Sequence, residues 1–139
     1  MAQTIREIMT AQPVTMEDSA TVFDAARAMR DANIGDVIVV KGGSVRGVVT
    51  DRDIVVRAVA EGRDPKALKL GEIFSGDVVT VAPDDSVDKV VALMREKAIR
   101  RVPVVEGNRP IGVVSIGDLA MEKDKRSALA DISAAKPNR

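Results

Sequence analysis

The amino-acid sequence predicts an α+β fold built from two tandem copies of one unit, each with the order strand, helix, strand, strand, helix. The first observation is an internal repeat: residues 5–54 align with residues 70–119 at an offset of 65, without a gap. The second is that both copies alternate short β-branched runs with stretches of helical periodicity. A copy of about 60 residues buries its faces poorly alone. We therefore expect two copies to cover each other in one compact unit with a pseudo-two-fold axis.

The first copy begins with an amphipathic turn, TIREIM, and a short extended segment, PVTM. A helix follows, with apolar residues at helical spacing and with Thr21 and Asp24 as an N-terminal capping pair. The runs DVIVV and SVRGVV, joined through a Gly-Gly pair, predict a β-hairpin. The last helix is predicted to begin at Asp51 and to end at Gly62.

The second copy repeats this order with LGEIF, the extended segment VVTV, a helix, the strands RVPVV and PIGVV, and a last helix that begins at Ile116. The predicted boundaries are residues 1–62 for repeat 1, 63–69 for a linker, 70–125 for repeat 2 and 126–139 for a charged C-terminal tail. A loose helix is the structure expected for the tail.

Composition narrows the possible function classes. The 21 basic and 21 acidic side chains cancel, so no field of one sign favours nucleic acid or an anionic membrane as a partner. The absence of Cys and His removes thiolate chemistry, the commonest general base and the commonest zinc ligand. We therefore expect no catalytic residues, no metal site and no required cofactor. No apolar run reaches the roughly 20 residues of a membrane span, and the first residues lack the apolar core of a signal peptide, so a cytoplasmic location is expected.

One short motif recurs where the last strand of each copy meets the last helix: GVVTDRD in the first copy and GVVSIGD in the second. Thr50 and Ser115 stand at the junction, and Asp53 and Asp118 lie in the first helical turn. The N–H groups of a helix N-terminus favour a phosphate, and a carboxylate one turn later can accept hydrogen bonds from a ribose diol. The glycine of the motif allows close backbone approach.

The same residue types also fit a purely structural role. Ser or Thr before a helix is a common N-cap, and Asp in the first turn suits the helix dipole. The spacing alone leaves helix capping and ligand binding both open, and the two roles are compatible.

The doubled glycine, hydroxyl and aspartate, together with the phrases TDRDI and RRVPVV, resemble the cystathionine-β-synthase (CBS) domain pair. The resemblance covers about residues 4 to 125, and the chain is also similar to the small two-CBS proteins of bacteria. It implies a β-α-β-β-α fold for each repeat, with the two repeats stacked sheet to sheet, and a homodimer. It also implies a regulatory module that binds an adenosine ligand (AMP, ADP, ATP or S-adenosylmethionine) in clefts between the repeats and acts through a separate, unidentified protein.

The resemblance carries a set of ligand-binding positions onto this chain, residue by residue. These are Thr15, Thr50, Asp53, Thr80, Arg100, Arg101, Ser115 and Asp118. The two aspartates match the family's ribose-binding positions, and the hydroxyls at 50 and 115 match the group that meets ribose or phosphate. The two first-strand threonines match the segment that lines the adenine side, and the adjacent arginines stand where members of the family often carry basic residues toward phosphate.

The two copies differ beside this motif. Gly35 and Asp36 stand in the first copy where the second has Arg100 and Arg101. A carboxylate at Asp36, if it faces the cleft, would repel a phosphate. The second-repeat site is therefore the expected nucleotide site, and the first is expected to be empty or to take a less charged ligand. A solvated corner between helix and strand is the alternative role for the two arginines.

Three functions follow from these observations. The favoured one is a regulatory module that senses an adenosine nucleotide. The alternative is a ligand-free structural module for dimerisation or protein interaction, with the hydroxyls and aspartates acting as caps. An enzyme such as a nucleotide hydrolase is the least favoured, because no grouping of Asp and Glu has the spacing of a metal cluster.

Overall fold

The computed structural model describes residues 4–74 and 78–123 and has helices packed with two sheets, which confirms the predicted α+β class. The chain forms two compact units. The first-repeat unit consists of residues 13–79 and 108–110, and the second-repeat unit of residues 1–12, 80–107 and 111–139. The predicted C-terminal tail, residues 126–139, lies outside the described residues.

The secondary-structure elements follow the predicted order with two exceptions: an additional two-residue strand precedes the first predicted one, and the second copy lacks its predicted first strand. The strands are β1 (Thr10–Ala11), β2 (Thr15–Glu17), β3 (Asp36–Lys41), β4 (Ser44–Thr50), β5 (Arg101–Glu106) and β6 (Arg109–Ser115). The helices are α1 (Val22–Ala32), α2 (Asp51–Ile54), α3 (Val87–Lys97) and α4 (Ile116–Lys123). Two 3-10 turns, Ile5–Glu7 and Leu70–Glu72, and a π-helical turn, Val55–Val59, are also present.

The first-repeat unit holds a three-stranded sheet in the order β2-β3-β4. Strand β2 runs parallel to β3, with Thr15 opposite Ile38, and β3 pairs antiparallel with β4, with Asp36 opposite Thr50. The predicted hairpin is thus confirmed, and its Gly-Gly turn has φ angles of +59° and +86°, which glycine adopts without strain. The starts of β2 and β3 and the end of β4 therefore lie at the same end of the sheet.

Helix α1 buries an apolar face against this sheet. Val22, Ala25 and Met29 are buried and belong to the core of the unit. The predicted capping pair is confirmed: the Asp24 N–H donates to Thr21 Oγ1 (3.1 Å), and the Thr21 N–H donates to Asp24 Oδ2 (3.4 Å). Capping of this kind stabilises a helix by about 1 kcal/mol.

Helix α2 begins where the sequence predicts and continues as the π-helical turn. The N–H of Ala60 donates to the carbonyl of Val55, five residues back (2.8 Å). This wider turn changes which side chains face the core: Ala58 is buried, whereas Val55 and Val59 are 57% and 65% exposed. The helical segment ends at Val59, three residues before the predicted end at Gly62, and Gly62 lies in the turn that follows, with a φ of +68°.

The second-repeat unit holds a sheet in the order β1-β6-β5. Its predicted extended segment, VVTV, is reduced to one parallel bridge between Val81 and Val104. Proline accounts for the difference between the copies. In the first copy the N–H of Asp18 donates to the carbonyl of Val40 (2.9 Å), whereas the equivalent residue, Pro83, has no N–H to donate.

Each unit includes the 3-10 turn with which the other copy begins. In the second-repeat unit the N–H of Ile5 donates to the carbonyl of Asp85 (2.9 Å), and in the first-repeat unit the N–H of Leu70 donates to the carbonyl of Ala20 (2.9 Å). These two bonds are related by the offset of 65. The repeat in the sequence is therefore reproduced in the hydrogen bonds inside each unit, while the repeat boundaries given above stay a prediction.

Candidate functional site

The hydroxyl and the carboxylate of the repeated motif bond to the backbone at the start of each copy's last helix. In the second-repeat unit the Asp118 N–H donates to Ser115 Oγ (3.1 Å), and the Ser115 N–H donates to Asp118 Oδ2 (2.9 Å). In the first-repeat unit the Asp53 N–H donates to Thr50 Oγ1 (3.2 Å), and the Thr50 N–H donates to Asp53 Oδ2 (2.8 Å). Both motifs are therefore capping boxes.

Capping uses only one oxygen of each carboxylate. Oδ1 of Asp118 has no hydrogen bond or ion pair to another residue of the described chain, and Oδ1 of Asp53 lies 3.9 Å from Arg57 Nε. Both aspartates are partly buried. A carboxylate has room for several hydrogen bonds, so each aspartate can cap its helix and still offer an acceptor. The two roles that the sequence leaves open are thus compatible in the structure.

Thr15 lies at the same end of the sheet as Thr50 and Asp53. It begins β2 and is exposed, whereas Thr50 ends β4, two strands away. A strand spacing of about 4.8 Å and a rise of about 3.3 Å per residue put the Cα atoms of the two threonines about 12 Å apart. The fold therefore brings these predicted residues to one end of the sheet without placing them in contact.

The predicted residues of the second-repeat unit gather at the corresponding place. Arg101 begins β5 and is partly buried, and Ser115 ends β6. Arg100 is exposed, and its carbonyl accepts the N–H of Ile116 at the start of α4 (2.9 Å). Thr80 is exposed and directly precedes the bridge to β5. The backbone thus holds the arginine pair next to the strand-to-helix junction that carries the motif.

The charge beside the motif differs between the units. In the first-repeat unit the β3–β4 ladder places Asp36 directly opposite Thr50. The residue equivalent to Asp36 at the offset of 65 is Arg101, and the equivalent of Gly35 is Arg100. An acidic side chain in one unit thus stands where the other unit has a basic one.

The glycine of the motif has a packing role that the sequence did not reveal. A Cβ atom on Gly112 would lie 2.5 Å from Met9 Sδ and 3.0 Å from the carbonyl oxygen of Thr10. A Cβ atom on Gly47 would lie 2.9 Å from Phe74 Cδ2. Met9 and Phe74 are equivalent positions of the repeat. The close approach expected at each glycine is therefore made by a side chain of the same unit.

Arg57 lies next to the motif and was missed by sequence reasoning. Its Nε lies 3.9 Å from Asp53 Oδ1, and its Nη1 donates to the carbonyl of Ile73 (3.1 Å). The equivalent residue in the second copy is Glu122. This reversal of charge, one helical turn after the aspartate, is detectable in the sequence when the repeat alignment is extended beyond residue 54.

Two carboxylates outside the motif have a lowered pKa. The Ala82 N–H donates to Asp85 Oδ2 (2.9 Å) and holds the pKa of Asp85 below its usual range, and the Lys89 ammonium at 3.1 Å from Oδ1 acts in the same direction. The hydrogen bond from Arg30 (2.8 Å) lowers the pKa of Asp31. Both carboxylates belong to local helix and loop contacts rather than to the predicted site.

Residues 4–74 and 78–123 contain no cluster of three or more His, Cys, Asp or Glu side chains suited to a metal ion. None of the helices in these two ranges has the length and apolar character that a membrane span requires.

Two α+β units that share one hydroxyl–carboxylate motif define a tandem-repeat protein, and comparison with known proteins identifies its family. The CBS domain family model matches residues 5–59 and 70–124, and the chain belongs to the CBS-domain family. It is 36% identical over 133 residues to the CBS domain-containing protein YhcV of Bacillus subtilis, a match that covers 93% of this chain and 94% of that protein. The family recognised from the sequence is thus confirmed.

Solved structures of CBS proteins share the fold. The CBS domain pair of protein MJ0100, in complex with 5′-methylthioadenosine and S-adenosyl-L-methionine, matches with a TM-score of 0.81 and 26% identity, covering 91% of this chain and all of that one (100%). A hexameric CBS-CP12 protein from bloom-forming cyanobacteria matches with a TM-score of 0.80 and 35% identity, covering 89% of this chain and 70% of that one.

Proposed function

We propose that this chain is a regulatory module that binds an adenosine ligand of the AMP, ADP, ATP or S-adenosylmethionine type and acts through a partner protein. The observation that carries the proposal is the repeated hydroxyl–carboxylate pair, in which capping leaves one oxygen of Asp118 available as an acceptor. A structural neighbour in complex with two adenosine compounds supports this ligand class. Membership of the CBS-domain family supports a regulatory rather than a catalytic role.

In this proposal the second-repeat unit supplies the main nucleotide site. Asp118 accepts hydrogen bonds from the ribose hydroxyls, Ser115 contacts ribose or phosphate, and Thr80 borders the adenine. Arg100 and Arg101 attract the phosphate, since charge-assisted hydrogen bonds from guanidinium groups to phosphate are strong. The position of the arginine pair at the start of β5, next to the junction that carries Ser115, supports this division of roles.

The first-repeat unit carries the same groups for a less charged ligand. In this unit the roles proposed for Thr80, Ser115 and Asp118 belong to the equivalent residues Thr15, Thr50 and Asp53. Asp36 lies opposite Thr50 in the ladder, and a carboxylate there disfavours a phosphate. We therefore propose that this site is empty in the presence of nucleotides or takes an uncharged or cationic adenosine compound.

We also propose a homodimer in which exposed apolar side chains contact those of a second copy. Val55, Val56 and Val59 are 57%, 44% and 65% exposed on the helix that follows the first motif. In the second-repeat unit α3 and α4 border a groove of about 580 Å³, lined by Val91, Met94, Arg95, Ile99, Ile116, Leu119 and Ala120. Removing apolar surface of this kind from water is favourable, so these side chains favour association with a second copy.

A ligand-free structural module is the second candidate. The complete capping boxes favour it, because Thr50, Asp53, Ser115 and Asp118 all have a role at helix starts that needs no ligand. In this alternative the chain dimerises or bridges other proteins, and the aspartates serve stability alone. The repeat boundaries at residues 1–62 and 70–125 and the cytoplasmic location are common to both candidates and stay predictions.

Thermal unfolding with AMP, ADP, ATP and S-adenosylmethionine, each tested alone, separates the two candidates. A ligand at about 100 times its dissociation constant adds about 2.7 kcal/mol to the stability, which raises the Tm by several degrees. Asp118→Ala removes both the cap and the proposed ribose acceptor. Asp24→Ala is the matched control, because it removes the carboxylate of another capping box, at the start of α1.

We expect both variants to unfold at a lower temperature than the wild type without ligand, and only Asp24→Ala to keep the ligand-induced rise. An equal rise in both variants would exclude Asp118 from the site. The absence of a rise in the wild type with all four ligands would favour the structural module. Turnover of a nucleotide by the purified protein would instead support an enzyme.

A further inference from the structure

We infer that Arg57 makes the two sites unequal for a ligand with a ribose diol, because its guanidinium lies beside the carboxylate oxygen of Asp53 that the cap does not use. This inference rests on the proposed function. Arg57 acts through Asp53, as a residue that determines which site a ligand prefers, and none of the described residues of the second-repeat unit has the same role.

Each oxygen of Asp53 has a protein group beside it, one through a hydrogen bond and the other through a charge contact. Oδ2 accepts the N–H of Thr50 at 2.8 Å, and Oδ1 faces Arg57 Nε at 3.9 Å. Arg57 is held in this position by a second contact, since its Nη1 donates to the carbonyl of Ile73 at 3.1 Å. A guanidinium that is already fixed by a backbone carbonyl loses less side-chain entropy when it pairs with a carboxylate. Asp53 therefore has a standing cationic partner.

The second-repeat unit has the opposite arrangement. The residue equivalent to Arg57 is Glu122, and the equivalent of Ile73 is Ile8. A carboxylate at position 122 has no N–H to donate to Asp118 or to a carbonyl. No ion pair reaches Asp118 from any residue of the described chain. Among residues 4–74 and 78–123, therefore, no group has to be displaced before a ligand uses Oδ1 of Asp118 as an acceptor.

A ribose diol that donates to Asp53 has to share or displace Arg57, whereas at Asp118 it does not. Arg57 and Asp53 are 44% and 24% exposed, so the ion pair is partly screened and its effect is modest. Pairs of this exposure typically change an equilibrium by about two- to five-fold. We therefore expect the dissociation constant of the diol to be higher at Asp53 than at Asp118 by at least this factor.

An NMR titration of the full chain with adenosine measures the two sites separately, through the backbone amide signals of Asp53 and Asp118. Adenosine carries the diol and no phosphate, so the charge difference between Asp36 and Arg101 has little influence. Arg57→Gln removes the proposed competitor and Arg57→Lys keeps its charge. Glu122→Arg installs an arginine at the equivalent place in the other unit.

Arg30→Gln is the matched control for these variants, because it breaks another Arg–Asp pair, on α1, where Arg30 Nε lies 2.8 Å from Asp31 Oδ1. We expect Arg57→Gln to tighten binding at Asp53 by about two- to five-fold, with Asp118 unchanged. Glu122→Arg is expected to weaken binding at Asp118, while Arg57→Lys and Arg30→Gln stay close to the wild type. Glu122→Arg also tests the inference if Arg57→Gln fails to fold.

The outcomes separate this inference from the proposed function. If adenosine shifts neither amide, the inference is overturned, and the proposed function is wrong as well only when AMP, ADP, ATP and S-adenosylmethionine also leave the Tm unchanged. If both sites bind equally in the wild type and in all variants, the inference alone is overturned. If Arg57→Gln weakens binding at Asp53, Arg57 contacts the ligand directly and the competition described here does not occur.

Discussion

The aromatic ring of Phe74 fills the space beside Gly47, so that a Cβ atom at position 47 would lie 2.9 Å from Phe74 Cδ2. Met9 lies beside Gly112 in the same way, with Sδ 2.5 Å from the position of a Cβ atom. The glycine that the motif repeats is therefore required by packing within each unit. Packing alone is therefore enough to explain why both copies have this glycine. The repeated aspartate, by contrast, is explained equally well by helix capping and by ligand binding.

Gly47→Ala is expected to lower the free energy of unfolding by about 1–3 kcal/mol, the usual cost of overpacking. Urea unfolding of the purified variant measures this change. Combining Gly47→Ala with Phe74→Leu should recover part of the loss, because the smaller side chain leaves room for the methyl group. A variant with unchanged stability and lost ligand binding would contradict the packing role and assign the space to a ligand.

Ala98 adopts the left-handed conformation at the end of α3, with a φ of +55°. This conformation costs a residue with a Cβ atom about 1–2 kcal/mol, and glycine adopts it freely. Ala98→Gly is therefore expected to raise the stability by about 0.5–1 kcal/mol after the larger chain entropy of glycine is subtracted. Calorimetry should show a Tm higher by a few degrees.

Asn33, the equivalent residue at the end of α1, has a φ of +58° and provides the comparison. Asn tolerates this conformation better than Ala does, so Asn33→Gly should gain less than Ala98→Gly. A loss of stability in Ala98→Gly would show that the methyl group of Ala98 contributes packing that outweighs the backbone strain.

The sequence predicts the parts of this fold that depend on local chemistry. The β-branched runs around a Gly-Gly pair are enough to predict the β3–β4 hairpin, and Thr21 with Asp24 is enough to predict the cap of α1. The shortening of the first strand in the second copy could also have been predicted from the sequence, because Pro83 has no N–H to donate to the neighbouring strand. These features need no information about distant residues.

The remaining features depend on contacts between residues far apart in the sequence. The turn at Ile5 bonds to Asp85 rather than to its own copy, and two repeats with the same apolar pattern are compatible with either pairing. The role of the glycines depends in the same way on where Met9 and Phe74 lie. For the site itself, capping and ribose binding require the same residue types, so the spacing of Thr50 and Asp53 favours neither.

The carboxylate of Asp85 makes stability depend on pH. Its pKa is lowered mainly by the hydrogen bond from the Ala82 N–H and further by Lys89, so the folded state binds the proton less readily than the unfolded chain does. This contribution is fully present above the unfolded pKa of about 3.9. It is lost as the pH falls through the lower pKa of the folded state.

Asp85→Asn keeps a hydrogen-bond acceptor and removes the charge. At pH 7 the variant is expected to be less stable than the wild type by about 1 kcal/mol, the difference between a charged and a neutral acceptor. This difference should shrink as the pH is lowered below about 4. Urea unfolding of both proteins across this range measures it, with Asp84→Asn as an exposed neighbouring control. A difference that stays constant with pH would assign the loss to geometry instead of charge.

The exposed valines on the helix after the first motif provide a test of the proposed homodimer. Val59 is 65% exposed, so Val59→Asp should leave the fold of a single chain intact. If Val59 is buried between two copies, the aspartate removes about 1.5–3 kcal/mol of apolar burial and adds a charge without a partner. The dimer should then dissociate at least about ten-fold more readily.

Sedimentation analysis over a range of concentrations measures the dissociation constant of the wild type and of Val59→Asp. Ala67→Asp is the matched control, because Ala67 is exposed in the same unit and lies outside that helix. We expect Ala67→Asp to associate like the wild type. A wild type that stays monomeric at all concentrations would contradict the homodimer itself, whereas equal association of all three proteins would move the interface to another surface, such as the groove between α3 and α4.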